Sequence, residues 1–208
     1  MQILETIGGF LIMPKFEFIS EGHKYLLDDR ELLSVTSVLP YNYRGNNTEA
    51  MLKGRYIHEM CRLYLLKNLD EGNLDSALVP YLDAFRKFLY EIKGMDIMGV
   101  FDIKSGSPHP CTELQISAYI ELVNHGIPQS APEGQPILEM PFYHSIYSYG
   151  GTPDIIIFDK LPVREGYALY LKDNGKYSLS SAKDVRKNFE IFIHHLNAYK
   201  WQKEKGLI

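Results

Sequence analysis

The chain has 208 residues, 45% hydrophobic and 23% charged, a globular composition that excludes disorder, collagen and coiled coil. No apolar run reaches the ~18–20 residues of a membrane span, and residues 7–13 lack the basic flank and small-residue cleavage site of a signal peptide. The net charge of −4 excludes a uniformly basic molecule, yet residues 160–208 hold ten Lys/Arg against five Asp/Glu, a polarity compatible with phosphate contact on one side.

A chain of this length buries roughly 70% of its unfolded surface and needs no disulfide or metal staple to fold. Its two cysteines, Cys61 and Cys111, can form at most one bridge and cannot furnish the four thiolates of an iron–sulfur cluster. They read as reduced thiols of a cytoplasmic protein. Met13 is followed by Pro-Lys-Phe, so residues 1–14 read as an N-terminal extension and residues 15–208 as a single domain.

Alternation at Phe16 and Phe18, then Tyr25-Leu26-Leu27 after the turn at Glu21-Gly22, predicts two short strands over 15–28. Met51, Ile57, Cys61 and Leu65 have roughly helical spacing and predict a helix over 48–68. Leu78, Leu82, Phe85 and Leu89 predict a second helix over 76–93, ended by Gly94. A strand over 98–104 is stopped by Ser-Gly-Ser-Pro. A helix over 112–124 has Thr112 as its expected cap. The Gly/Pro/Ser/Gln-rich stretch 126–136 reads as a loop. Strands over 137–144 and 152–158 follow, joined through Gly150-Gly151, whose glycines suit a tight return. A hairpin pairs 167–172 with 176–179 around Asp173-Asn174-Gly175. Val185, Phe189, Phe192, Leu196 and Tyr199 give the last helix, 182–204, a core-facing stripe. Helices flanking a central group of strands define an α/β or α+β class.

Three stretches carry chemistry. Gly151-Thr152-Pro153-Asp154 puts a carboxylate at the mouth of the apolar run Ile155-Ile156-Ile157. Asp102 and Lys104 stand at i and i+2 of a strand, so they project to one face with Ile103 on the other. Arg55 and His58 lie three apart on a helix and share a side, which Arg62 extends. Two converging carboxylates make an oxygen-rich Mg²⁺ site, and the Ile103 carbonyl between the two side chains is a natural extra ligand. Mg²⁺ polarises a phosphoryl oxygen and acidifies a bound water. A nearby ammonium orients that water or offsets charge building on the phosphate. An imidazole ligand from His58 would shift the preference toward Mn²⁺. Arg55 is placed for phosphate contact, or else for pairing with Glu59 at i+4. His109, His144 and the adjacent His194-His195 have no ligand spacing.

Together these residues resemble the PD-(D/E)xK nuclease superfamily, and within it the RecB-like, phage-type exonucleases. The resemblance rests on Gly54 and His58 as a Gly-x-x-x-His helix motif, and on Glu139 in Leu-Glu-Met-Pro as the acidic strand residue. It rests further on the Gly-Thr-x-Asp turn of 151–154, on Asp-x-Lys-Ser-Gly over 102–106, and on Gln115 and Tyr119 as Gln-x-x-x-Tyr. The lead-in His23-Lys24-Tyr25 with Ser34-Val35-Thr36-Ser37-Val38 and the ending from Ala168 to the terminal aromatic helix are also similar.

The resemblance implies a restriction-endonuclease-like mixed central sheet flanked by helices. It implies metal-dependent hydrolysis of DNA phosphodiesters, with exonuclease action in recombination or repair. Asp154, Asp102, the Ile103 carbonyl, His58 and Glu139 would hold Mg²⁺, with Mn²⁺ as the alternative. Lys104 would position the attacking water. Gln115, Tyr119 and Arg55 would contact DNA near the scissile phosphate. DNA is the implied partner, with a recombination or single-strand-binding protein as a second. A catalytically inert binding module on the same fold is the alternative.

The motif order departs from the family's. Here the Asp-x-Lys strand and the Gln helix precede the Glu and Asp strands. Either the segments are permuted and still meet in one sheet, or Lys172 replaces Lys104.

Overall fold

The computed structural model describes residues 6–7, 10–11, 15–19, 21–22, 24–40, 48–93, 95, 99–128, 142–152, 155–157 and 162–208. In chain order these form β1 (Thr6–Ile7), β2 (Phe10–Leu11), β3 (Phe16–Ile19), β4 (Lys24–Leu27) and β5 (Arg30–Ser34), then α1 (Val35–Val38) and α2 (Thr48–Leu65). A 3₁₀ turn (Glu71–Asn73) leads to α3 (Val79–Ile92), β6 (Gly99–Lys104) and α4 (Cys111–His125). There follow β7 (Ile127–Pro128), β8 (Phe142–His144), β9 (Tyr149–Gly151), β10 (Ile155–Ile157), β11 (Glu165–Leu171), β12 (Tyr177–Ser181) and α5 (Val185–Glu204). Within residues 1–14, β1 and β2 pair antiparallel. Among the described residues no helix is long and apolar enough to cross a membrane.

The expected single central sheet is replaced by two larger sheets. One has the order β10-β6-β11-β12 and the other β3-β4-β5-β9-β8-β7. In the first, β6 runs parallel to β11 and antiparallel to β10. In the second, β5 and β9 are parallel and the other pairs antiparallel. The class is mixed α/β.

Alternation along β6 divides its surroundings. Phe101 and Ile103 pack with Ile57, Met60 and Cys61 of α2 and Leu82, Phe85 and Phe88 of α3. Val100 packs on the other face with α4, α5 and the β11 residues Ala168 and Tyr170. Gly166 brings α4 close to the sheet, since a Cβ there would meet Ile116 Cγ2 at 2.2 Å. The stripe expected of α5 buries Phe192 and Leu196, with Val185 and Phe189 packed against the core.

Four local expectations are corrected. Met51 is 53% exposed, and Met60 takes the core position on α2. Thr112 does not cap α4. The cap position is Pro110, and His109 Nδ1 accepts a hydrogen bond from the Cys111 N–H at 3.1 Å. Gly150 and Gly151 do not form the return between strands. They lie within β9, and Ser148 takes the positive φ of 52° in the turn before it. A Cβ on Gly150 would meet Tyr25 Cγ at 3.3 Å, so close packing, not turn geometry, accounts for it. Of the loop expected over 126–136, residues 127–128 pair with β8. The strand expected over 137–144 is described for 142–144.

The β8–β9 hairpin buries His144 against Tyr147 and Tyr149, with ring centroids 4.7 and 6.0 Å away. Burial, and then the charge of His125, hold its pKa below 6.5. His125 itself faces Glu121 at 3.5 Å. Between the folded pKa and the unfolded one, the unfolded chain binds more protons, so stability rises with pH there and falls as pH drops through 6.5. Urea unfolding at pH 7.5 and 5.5 is expected to show less loss on acidification for His144→Phe than for the wild type. Equal losses would exclude His144 as the source.

Candidate active site at the end of β6

β6 ends in the Asp-x-Lys sequence, and the pleat sends Asp102 and Lys104 toward α4. Lys104 Nζ stands 2.9 Å from Asp102 Oδ2. The carboxylate is 0% exposed as a residue, whereas Lys104 retains 24% of its side-chain surface. The ammonium donates to Gln115 Oε1 at 2.9 Å, and Gln115 Nε2 donates to Tyr119 Oη at 2.9 Å. Both partners come from α4, one turn apart, which is the spacing that places them on one side. The result is a relay that runs outward from the Lys104 ammonium, to Asp102 on one side and through Gln115 to Tyr119 on the other. A buried ion pair needs such added hydrogen bonds to offset desolvation.

Gly151 and Thr152, which open the Gly-Thr-Pro-Asp stretch, pack beside this network. A Cβ on Gly151 would meet Tyr119 Cε1 at 2.8 Å and Leu122 Cδ1 at 3.0 Å. Thr152 Oγ1 is hydrogen-bonded to the Tyr25 hydroxyl at 2.5 Å, which gives the lead-in motif a structural role. β10 begins at Ile155, directly after Asp154, and Ile155 pairs with Phe101. The strand that follows the Asp154 motif and the strand that carries Asp102 are therefore neighbours despite their reversed order in the chain. Asp154 and Glu139 themselves lie outside the described residues.

α2 covers the opposite face of the same sheet. A Cβ on Gly54 would meet Ser105 Oγ at 3.4 Å, so this helix passes next to the end of β6. His58 follows one turn later and is half-buried. Arg55 is exposed. Glu59, its alternative partner, is held by Arg62, with contacts of 2.8 and 2.6 Å. Lys172 follows the end of β11 and is exposed, its N–H bonded to Lys176 O in the hairpin turn. Lys104, not Lys172, therefore accompanies the buried carboxylate.

Among the described residues no three His, Cys, Asp or Glu side chains gather as a metal group. Asp102 is nonetheless a donor of the right kind for a hard cation, since Mg²⁺ takes one or two carboxylates and keeps several waters. Past Phe101, β6 has a described strand neighbour only on its β11 side. Asp102 and the Ile103 carbonyl lie in this segment.

Gly151→Ala should push the Tyr119 ring and disturb the relay. A loss of about 1–3 kcal/mol in stability is expected from such overpacking, read as a lower thermal midpoint. An unchanged midpoint would mean that Tyr119 is free to move. Compared with known proteins, the chain matches no family model, no curated protein and no solved structure.

Proposed function

We propose that the protein is a metal-dependent deoxyribonuclease with a restriction-endonuclease-like core, acting as an exonuclease of the RecB-like, phage type. One observation carries the reading: a fully buried aspartate with a lysine ammonium at 2.9 Å, two residues apart on one strand, beside the strand that follows the Asp154 motif. A lone surface ion pair does not need a buried carboxylate or a glutamine–tyrosine brace. A lysine held in place beside a carboxylate supports a hydrolytic centre, where the ammonium must keep a fixed position.

Asp102 would hold Mg²⁺ together with Asp154, Glu139 and the Ile103 carbonyl, while His58, expected as a further ligand, is carried by α2 on the opposite face of the sheet. When bound, the metal polarises the phosphoryl oxygen and makes its water a better nucleophile. Lys104 orients the attacking water and offsets charge on the phosphate. Gln115 fixes the ammonium and Tyr119 fixes Gln115. These two are 3% and 5% exposed, so they act as positioning residues and offer little surface to a DNA strand. Arg55, exposed on α2, remains the candidate for phosphate contact. The reaction is in-line hydrolysis with no covalent intermediate.

End-labelled linear DNA and closed-circular DNA, each incubated with Mg²⁺, with Mn²⁺ and with chelator, test this reading. Metal-dependent loss of the linear form alone is expected. Cutting of circles would make it an endonuclease. DNA binding without cleavage in either metal would favour the inert binding module.

A further inference from the structure

A cavity of about 290 Å³ opens on the α4 side of the sheet, between the start of α4 and strands β11 and β12. It adjoins the candidate site. Two of its lining residues, Ala168 and Tyr170, pair in register with Asp102 and Lys104, one strand spacing of about 4.8 Å away. α4 spans both places. Gln115 holds Lys104, while Glu113 and Ile116 line the cavity.

The chemistry of the lining selects its occupant. The start of a helix ordinarily attracts anions. Here the first two amides of α4 are occupied, since the Cys111 N–H donates to His109 Nδ1 and the Thr112 N–H to His109 O. The Glu113 carboxylate also stands in this first turn, and it repels a phosphate. Asn188 Nδ2 donates to Glu113 Oε2 at 3.1 Å and fixes it. The floor is apolar, with Ile116 and Ala168 each 1% exposed. A flat neutral ring that presents N–H donors to a carboxylate suits this lining. The volume lies just under the usual range of ligand pockets, about 300–1,000 Å³, and suits a single base.

We propose that this cavity receives a nucleobase bearing an exocyclic amino group, from the nucleotide next to the scissile phosphate, with Glu113 accepting from the amine. The inference rests on the nuclease reading and adds a base preference to it. Cytosine offers its 4-amino group to a carboxylate. Thymine offers only an N3–H flanked by two carbonyl oxygens, which the carboxylate repels.

Binding of free deoxycytidine and thymidine to the full chain without metal tests the cavity apart from catalysis, followed by NMR shifts. The wild type should bind deoxycytidine roughly fivefold or more tighter than thymidine. Glu113→Gln should erase that preference. Ser180→Trp, at an exposed position on the cavity wall, should abolish binding of both nucleosides with an unchanged thermal midpoint. DNA hydrolysis is measured on the same wild-type preparation. Hydrolysis without deoxycytidine preference, or with binding untouched by both substitutions, overturns the cavity inference and leaves the nuclease reading standing. Selective nucleoside binding without hydrolysis in any metal supports a base site in the cavity, but removes the nuclease and with it the assignment of that base to a scissile phosphate.

Discussion

Asp102→Asn is expected to lower Mg²⁺-dependent DNA hydrolysis by about 10²–10³-fold or more, while the protein stays folded. The substitution keeps the shape of the side chain and an oxygen that accepts from Lys104. Lys104 also keeps its bond to Gln115 and retains 24% of its surface, so its charge is not stranded. The stability change should therefore stay within about 1 kcal/mol, the scale of a single hydrogen bond. Release of acid-soluble nucleotide, measured beside the thermal midpoint, separates lost chemistry from lost fold. Full activity in a folded Asp102→Asn protein would remove Asp102 from the site.

Lys104→Ala should act on stability as well as on rate. It takes the ammonium from beside a carboxylate that is 0% exposed, and breaking a buried pair from one side costs about 3–5 kcal/mol. The lower figure is expected, because Lys104 reaches solvent. For a chain of this size that is a fall of roughly 6–12 °C in midpoint. The double variant, Asp102→Asn with Lys104→Ala, removes the stranded charge as well. It should therefore be more stable than Lys104→Ala alone, a non-additivity that marks direct coupling. Additive losses would show that the pair contributes little and that the lysine stem accounts for the effect.

Much of the site's geometry is legible in the sequence, because it depends on short-range periodicity. The i, i+2 spacing of Asp102 and Lys104 places both on one face of any strand. The i, i+4 spacing of Gln115 and Tyr119 does the same on a helix. That these two faces meet, with Lys104 bridging to Gln115, is a tertiary fact that no local pattern carries. The α5 stripe is read directly from its 4-3-4-3 spacing.

The misses have physical causes. β5 and α1 are short, and the Ser34–Val38 run contains β-branched residues that weaken a helical signal. Gly150 and Gly151 look like turn residues, yet their role is to admit Tyr25 and Tyr119. Met51 is six residues before Ile57, about 120° round the helix from it, and so lies on the exposed side of α2. His109 has no ligand spacing, and its bond from the first amide of α4 follows from a ring nitrogen reaching two residues ahead. The division into two sheets depends on β9 pairing parallel with β5, a contact more than a hundred residues apart in the chain.

The central claim is that the Asp102–Lys104 pair at the end of β6 is a hydrolytic centre for DNA. The most direct measurement follows end-labelled linear DNA over time with the wild type in Mg²⁺, the wild type in chelator, and Asp102→Asn in Mg²⁺. The account predicts steady release of labelled nucleotides in the first reaction and none above background in the other two. Release that persists in chelator, or in the Asp102→Asn protein, would contradict it.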